Sequence, residues 1–280
     1  ALKVDNARFN KYLRSTIGDK EPQDLYPLDV DRIRVELLKT KAPQTVKHVL
    51  GILKRSCNFG FNKMLCPPLP FRIEMPEVDN KKTEDLTEDE LHRLLKAIAV
   101  DSNKQVGNMM LMALFTGMRR GELLKLKWRD VNFSRGFIFI RDPKGGKGQS
   151  IPLNEAAKRL LENHERTGSE YVFPGANGGQ RTTVQRAAGL IRDRAGLPKN
   201  FRPLHGLRHT YASMLASSGE VDLYTLQKLM THKTPVMTQR YAHLRDGALK
   251  KAADVAGNII SGAMTQDDKK VVPITKKAKA

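Results

Sequence analysis

The sequence predicts a mostly α-helical protein of two domains, a small helical domain followed by a larger, mainly helical domain with a short β-hairpin. Apolar residues recur at helical spacing through most of the chain, a proline-rich segment interrupts that pattern near residue 70, and two short apolar runs flank one glycine-rich turn. At 280 residues the chain is long enough for two modest domains.

The first domain is predicted over residues 1–78 and is all helical. Val4, Phe9, Leu13 and Ile17 fall near one face of a helix, and the segment APQTVKHVLGILKRSCNFGFNKML repeats apolar positions at the same spacing. The following segment, CPPLPFRIEMPEVDNKKTEDL, brings four prolines within ten residues and cannot continue a helix. Residues 79–86 are therefore predicted to be a linker.

The second domain is predicted over residues 87–262 and combines helices with one hairpin. Thr87 is the expected N-cap of its first helix, with Glu90 as the capping-box partner. The segment GNMMLMALFTG predicts a buried helix that ends near Gly117. FIFI and SIPL flank a Pro-Gly-Gly turn and predict the hairpin, whereas residues 263–280 are expected to form a flexible basic tail.

The charge of the chain indicates a polyanionic partner. The formal net charge is +19, which favours DNA or RNA over an anionic membrane because no basic amphipathic anchor is evident. No apolar run approaches the roughly 20 residues needed to cross a bilayer, and the N-terminus has no signal-peptide pattern. Cys57 and Cys66 are the only cysteines, which argues against a disulfide framework and favours a reducing compartment.

One long segment of the first domain is basic throughout. Between Glu36 and Glu74 there are seven basic residues and no carboxylate. We expect this segment to lie along phosphates, and a solvated basic face is the alternative. The predicted DNA-binding residues are Lys39, Lys41, Lys47, Lys54, Arg55 and Lys63.

Candidate chemistry begins with the segment HGLRHTYASMLASSG. Helical spacing places His205 and Arg208 on one face, with His209 expected elsewhere around the helix. The segment matches no metal-binding motif, and the chain has no Walker-type phosphate loop, so neither a metal nor another cofactor is expected.

Further cations and one phenol lie in other motifs: Arg119, Lys144, His232 and Tyr241. Cleavage of a phosphodiester requires neutralisation of the phosphate and protonation of the departing oxygen. Arginine suits the first task and lysine or histidine the second. A tyrosine phenol, whose ordinary pKa is about 10, is expected to become a usable nucleophile when cations surround it.

The sequence resembles the tyrosine recombinases, in particular the integrases of phages and genomic islands. The resemblance rests on four motifs in the family's order: TGMRRGELLKLKW, PKGGKGQSIPL, HGLRHTYAS and LMTHKTPVMTQRYAHL. It is strong in the second domain and mainly organisational in the first 80 residues. Two positions depart from the family pattern, since Gly206 stands where Asp is common and Thr231 where Gly is common. Neither departure removes a reacting group.

The resemblance implies a role for each matching residue. Arg119 and Arg208 would clamp the phosphate, Glu122 would help to orient the site, and His205 would accompany Arg208. His232 would contact the phosphate, and Tyr241 would form the 3′-phosphotyrosyl bond. The hairpin lysine that protonates the 5′ oxygen would be Lys144, counted from Pro152, with Lys147 as the second choice.

The resemblance also implies the activity and the partners. The chain would be a site-specific DNA recombinase that integrates or excises a mobile element, such as a viral genome, without metal or ATP. It would bind double-stranded DNA and assemble as a homotetramer on two DNA sites, with accessory DNA-bending or directionality factors as further candidate partners. Its location would be the cytoplasm of a bacterial cell or phage-infected host. An arm-binding domain often precedes the core-binding domain in this branch, which is consistent with a fragment.

Two alternative functions stay open at this point. A type IB topoisomerase-like enzyme shares the arginine, lysine, histidine and tyrosine chemistry but relaxes supercoils without pairing two sites. A catalytically silent DNA-binding factor would keep the fold without the reaction, although every reacting residue is present in this chain.

Overall fold

The computed structural model describes residues 2–78, 84–141 and 147–267. The chain divides into two compact units between residues 81 and 82. This division falls inside the predicted linker, and the predicted domain limits themselves stay predictions. The predicted class, mostly helical with a small antiparallel sheet in the second unit, is confirmed.

The first unit is built from helices alone within its described residues. They are α1 Leu2–Tyr12, α2 Arg14–Ile17, α3 Pro27–Thr40 and α4 Pro43–Asn62. Proline occupies the first turn of α3 and of α4, where its missing N–H costs no hydrogen bond. The apolar stripe of α4 faces the core and includes Val46, Leu50 and Leu53. Leu13, just before α2, is fully buried in the same hydrophobic core as these α4 residues.

The second unit opens on the predicted capping box. Thr87 accepts from the backbone N–H of Glu90, and the Glu90 carboxylate accepts from the backbone N–H of Thr87 at 3.0 Å. Its helices are α5 Glu88–Val100, α6 Lys104–Thr116, α7 Arg120–Leu123, α8 Glu155–Glu162, α9 Gln185–Arg194, α10 Pro203–Ser218, α11 Leu223–Leu229, α12 Val236–Gln239 and α13 Asp246–Asp267.

The predicted hairpin is present and has a third strand beside it. Strand β2 Phe137–Ile140 pairs antiparallel with β3 Gln149–Pro152, in the register Ile138 opposite Ile151. The third strand, β1 Val131–Asn132, pairs with the outer edge of β2 and was not predicted. A two-residue strand is too short to produce an alternating pattern, which explains the omission.

Helix α6 forms the centre of the second unit. Its predicted end is confirmed, because the helix stops at Thr116 and Gly117 takes a left-handed φ of 64°. Met109, Met110 and Met112 are fully buried, as expected for core residues. Helix α10 packs along α6, and this pairing brings the chain segments at 117–119 and 203–209 to one place.

The C-terminal helix α13 continues past residue 262 to Asp267. The expected flexible tail, residues 263–280, therefore overlaps the end of this helix, and residues 268–280 lie outside the described residues. In the parts of the chain that are described, no helix combines the length and apolar character needed to cross a membrane.

Candidate active site

Arg208 connects three segments of the second unit. It lies on α10, which begins with Pro203 in its first turn, and it is almost completely buried. Its guanidinium donates to the backbone carbonyls of Gly117 and Met230. Burial and the nearby Arg119 lower the Arg208 pKa to about 10. The side chain therefore stays cationic at neutral pH.

Position 117 requires glycine. Besides its positive φ, a Cβ at this position would lie 2.5 Å from the ring of Tyr211. The carbonyl of the same glycine accepts from the Arg208 guanidinium. The motif that contains Gly117 and the motif that carries Arg208 are therefore in direct contact.

Arg119 lies just before α7 and is held by Glu122 and Thr231. One Glu122 oxygen accepts from the Arg119 guanidinium at 2.9 Å, and the other accepts from the Arg119 backbone N–H at 2.8 Å. The Thr231 hydroxyl also accepts from this guanidinium, and the Thr231 carbonyl accepts at 2.9 Å. Glu122 therefore contacts Arg119 through both of its carboxylate oxygens, and its orienting role in the reaction stays a prediction.

Thr231 adopts a backbone conformation that favours glycine, with φ at 50°. This geometry gives a physical reason for the glycine that is common at this position in the family. In this chain the threonine side chain adds a hydroxyl acceptor for Arg119 that a glycine lacks.

Gly206, the second position that departs from the family pattern, also has a structural basis. Gly206 packs against Phe201, and a Cβ added at Gly206 would lie 2.1 Å from the phenylalanine ring. The aspartate common at this position in the family would therefore collide with Phe201 in this chain.

His232 lies in the loop that follows α11 and faces the two arginines. Its Nδ1 is 2.8 Å from the Thr238 hydroxyl. Burial, followed by the positive charges of Arg208 and Arg119, lowers the His232 pKa to about 3. The ring is therefore neutral at physiological pH and can donate or accept one hydrogen bond at its other nitrogen.

Tyr241 is packed inside the second unit, at 1% exposure. It shares a cluster with Ala212, Leu226 and Met230. Burial raises the pKa of its phenol to about 12, although Arg240 and Arg208 act in the opposite direction. In this structure the surrounding cations therefore do not lower the phenol pKa below its ordinary value, because desolvation outweighs them, and the role of Tyr241 as nucleophile stays a prediction.

His209 is a site residue that the sequence analysis missed. Its Nδ1 is 2.5 Å from the Tyr241 hydroxyl, and its Nε2 is 3.0 Å from Nε2 of His205. The prediction that His209 falls away from His205 was wrong, because residues four apart on a helix are neighbours as much as residues three apart. The spacing His-x-x-x-His on α10 was the signal available.

The hairpin lysine is the one proposed reacting group without a described position. Lys144 lies outside the described residues, so its role stays a prediction. Lys147 is described and exposed, just before β3. The other proposed reacting residues, Arg119, His205, Arg208, His232 and Tyr241, are brought together in the second unit by the contacts above.

The predicted DNA-binding cations of the first unit are all exposed. Two of them have a carboxylate partner: Lys39 pairs with Glu36, three residues earlier on α3, at 2.7 Å, and Arg55 pairs with Asp5 of α1 at 2.9 Å. Within the described residues, no carboxylate lies within ion-pair distance of the remaining four, which are Lys41, Lys47, Lys54 and Lys63.

No cluster of three or more His, Cys, Asp or Glu side chains placed to hold a metal ion occurs in the described ranges. The described site consists of two oriented guanidiniums, neutral imidazoles and a phenol. This set matches the chemistry of phosphate-ester transfer through a covalent tyrosine intermediate.

The family follows from comparison with known proteins. The family described as the phage integrase family matches residues 84–247, and the chain belongs to this family of tyrosine recombinases. It is similar to tyrosine recombinase XerA of Pyrococcus furiosus, with 30% identity over 68% of this chain and 69% of that protein. It is also similar to tyrosine recombinase XerC of Xanthomonas campestris, with 33% identity over 66% of this chain and 58% of that protein.

Solved structures with the same fold include two integrases. The Tn1549 transposon integrase in complex with transposon right end DNA has a TM-score of 0.76 and 20% identity, over 91% of this chain and 93% of that one. A lambda integrase dimer bound to a core site has a TM-score of 0.70 and 21% identity, over 88% and 89%. At these identities the likeness establishes the fold.

Proposed function

We propose that the chain is a tyrosine-type, site-specific DNA recombinase that cleaves and rejoins DNA through a 3′-phosphotyrosyl intermediate. The observation that carries the proposal is the pair of oriented arginines: Arg208 is fixed by the carbonyls of Gly117 and Met230, and Arg119 is fixed by Glu122 and Thr231. Residues more than 90 positions apart in the chain meet to hold these two cations.

The reaction assigns one task to each group. The Tyr241 oxygen forms a bond to phosphorus while the bond to the 5′ oxygen breaks and its electron pair stays on that oxygen. Arg119 and Arg208 stabilise the negative charge that builds on the phosphoryl oxygens. His232 hydrogen-bonds the phosphate as a neutral ring. Lys144 donates the proton that the 5′ oxygen requires, and reversal of these steps rejoins the strand.

The substrate is double-stranded DNA. The DNA-bound Tn1549 and lambda integrases support this choice, as does the excess positive charge of the chain. In the first unit, Lys47 and Lys54 are seven residues apart on α4 and therefore lie on the same face, away from the buried stripe. We assign these two side chains, with the other exposed lysines and Arg55 of the segment, to contacts with phosphates.

A nicked suicide substrate tests the activity directly. When the strand downstream of the cleavage point diffuses away, the enzyme stays joined to DNA as an adduct that survives denaturing gels. We expect this adduct with the unmodified chain and its absence with Tyr241→Phe. No adduct on any candidate site, with DNA binding retained, would identify a silent DNA-binding factor.

A second assay separates recombination from relaxation. Joining of two target-site DNAs is expected, and it should depend on the presence of both sites. Efficient relaxation of a plasmid that lacks a target site, by a monomer that never joins two sites, would identify a topoisomerase instead.

We propose that the active assembly is a homotetramer on two DNA sites. Helix α13 supports this, because Leu249, Val255, Ile259 and Ile260 are each more than half exposed and suit docking on a second copy. Ile259→Glu should leave single-site binding intact and abolish the tetramer in light scattering of the DNA complex. A tetramer that persists in this variant would contradict the docking role of α13.

The biological role proposed is integration or excision of a mobile element, such as a viral genome, with accessory DNA-bending or directionality factors. The chain would act in the cytoplasm of a bacterial cell or a phage-infected host, where the recombining DNA lies. Recombination of the target site in a host strain, with and without the element's own accessory proteins, tests this role.

A further inference from the structure

His209 contacts the reacting phenol, and none of the roles above uses it. Its imidazole lies between the Tyr241 hydroxyl, 2.5 Å from Nδ1, and the ring of His205, 3.0 Å from Nε2. We propose that His209 takes the phenolic proton as Tyr241 attacks and passes a proton on to His205. This inference rests on the proposed function, because it assigns the acceptor of the proton that the nucleophile releases.

The hydrogen-bond pattern sets the direction of transfer. The Tyr241 hydroxyl is buried, and within the described part of the chain His209 is its hydrogen-bond partner. A buried hydroxyl proton without an acceptor is unfavourable, so the phenol donates and Nδ1 of His209 accepts. A neutral imidazole then carries its proton on Nε2, which faces Nε2 of His205. The chain of donors therefore runs from Tyr241 through His209 to His205.

The positions of the two rings explain why two histidines are needed. His209 is almost completely buried, at 4% exposure, and burial lowers its pKa to about 3. A ring with this pKa is a poor final acceptor for a phenol whose pKa is about 12. His205 is exposed at the residue level, unlike His209, so a positive charge delivered to it is better hydrated even though partial burial of its ring still lowers its pKa. The relay therefore moves the proton out of the interior without leaving a charge on His209.

The charged surroundings act on both ends of the relay. Burial, followed by the positive charges of nearby arginines, lowers the His205 pKa, and the negative charge of Glu84 acts in the opposite direction. The groups that face the three rings are Glu84, Asp85, Arg202, Arg208 and Arg240. The carboxylate of Glu84 favours a cationic His205, whereas the arginines disfavour it, so the proton is held weakly and can return when the strand is rejoined.

The step balances in atoms and charge. The Tyr241 oxygen gains its bond to phosphorus and loses its proton to Nδ1 of His209. The proton on Nε2 of His209 moves to Nε2 of His205, which becomes an imidazolium while His209 stays neutral as the other tautomer. The electron pair of the broken P–O bond remains on the 5′ oxygen, which is protonated separately. Rejoining runs the same transfers in reverse.

The test uses variants that keep the contacts but cannot transfer a proton. His209→Asn places an amide oxygen near the position of Nδ1, so it can accept from Tyr241 but cannot pass a proton on. His205→Gln retains a polar group at the end of the relay. The readout is the rate of adduct formation on the nicked DNA substrate. His243→Asn, at an exposed histidine next to this segment, is the matched control.

We expect both relay variants to form adduct about 100-fold more slowly than the unmodified chain, since general acid–base groups typically contribute roughly 10²–10⁴-fold. His243→Asn should keep the original rate. Replacing Tyr241 by a fluorinated tyrosine with a more acidic phenol should restore most of the rate in His209→Asn and His205→Gln. A merely structural role for either histidine would not be rescued by acidifying the phenol.

The outcomes separate this inference from the proposed function. If the unmodified chain forms no adduct while the chain binds DNA, the proposed function fails. If it forms adduct and the folded relay variants do so within about twofold of its rate, the relay is wrong, since loss of a general acid–base contribution should be far larger. A large loss that fluorinated tyrosine does not restore also overturns the relay, because it shows that the histidines act on folding or position.

Discussion

Thr231 combines an unfavourable backbone conformation with a contact that orients Arg119, and its replacement sets the two effects against each other. A left-handed conformation costs a non-glycine residue roughly 1–2 kcal/mol. Glycine removes this strain but loses about 0.5–1 kcal/mol in chain entropy, so Thr231→Gly gains about 0.5–1 kcal/mol from the backbone. The lost hydroxyl acceptor acts in the opposite direction, because a hydrogen bond to a charged group contributes roughly 1.5–3 kcal/mol.

These magnitudes predict an order of stability among three variants. The hydroxyl contribution lies at the lower end of its range, because Glu122 and the Thr231 carbonyl still hold the guanidinium. We expect Thr231→Gly to lower the free energy of unfolding by about 1 kcal/mol and Thr231→Ala by about 1.5–2 kcal/mol, since alanine loses the hydroxyl and keeps the strain. Thr231→Ser keeps the hydroxyl and should remain near the original stability.

The rate of DNA adduct formation should depend on whether residue 231 keeps a hydroxyl, and not on the free energy of unfolding of the variant. Arg119 is less firmly oriented in both Thr231→Gly and Thr231→Ala, so both should form the DNA adduct about tenfold more slowly, equivalent to about 1.4 kcal/mol of transition-state stabilisation. Thr231→Ser should cleave at nearly the original rate.

Urea unfolding followed by circular dichroism measures the stabilities, and single-turnover adduct formation on nicked DNA measures the rates. Equal stability of the glycine and alanine variants would refute the backbone strain. A glycine variant that is both more stable and fully active would refute the contribution of the hydroxyl to Arg119.

Three further predictions follow from the described contacts. Gly206→Ala should destabilise the second unit by about 1–3 kcal/mol through collision with the Phe201 ring, and Phe201→Leu should recover part of the loss in thermal unfolding; an unchanged melting temperature for the single variant contradicts the packing. The free energy of unfolding should fall as pH is lowered from 7 to 5. His209 has a pKa of about 3 in the folded protein and about 6.5 in the unfolded chain, so only the unfolded chain binds a proton in this range. The loss at pH 5 is about 2 kcal/mol, and His209→Asn should flatten the pH profile of unfolding by that amount. Lys47→Gln should reduce the slope of log DNA affinity against log salt concentration by about 0.9. Lys39→Gln should change the slope less, because Lys39 already pairs with Glu36 within the protein. Equal slopes in the two variants would show that this ion pair does not keep Lys39 from the phosphates.

Local patterns in the sequence were sufficient for the main helices, for the hairpin and for most of the proposed reacting groups, although His209 was missed. The Thr87 capping box, the glycine stop after Thr116 and the pairing of β2 with β3 depend on residues close together in the chain, so their signals are complete in a short window. Arg119, Arg208 and Tyr241 were found for the same reason, since each family motif carries its own proposed reacting group. Strand β1 was missed because two residues hold too little pattern.

Contacts between distant segments were decided by the tertiary structure alone. The contacts of the Thr231 carbonyl and hydroxyl with Arg119, and the pairing of Asp5 with Arg55, join residues far apart in the chain. Such contacts depend on how helices pack, which no local window contains.

Tyr241, the proposed nucleophile, shows most clearly the difference between what the sequence determined and what the tertiary structure decided. The sequence determined that Tyr241 is accompanied by arginines and histidines, which predicted an activated phenol. The fold buries the phenol at 1% exposure, and this desolvation raises its pKa to about 12. Desolvation depends on every neighbour that excludes water, whereas charge can be counted along the chain, and only the folded structure determines which of the two is larger.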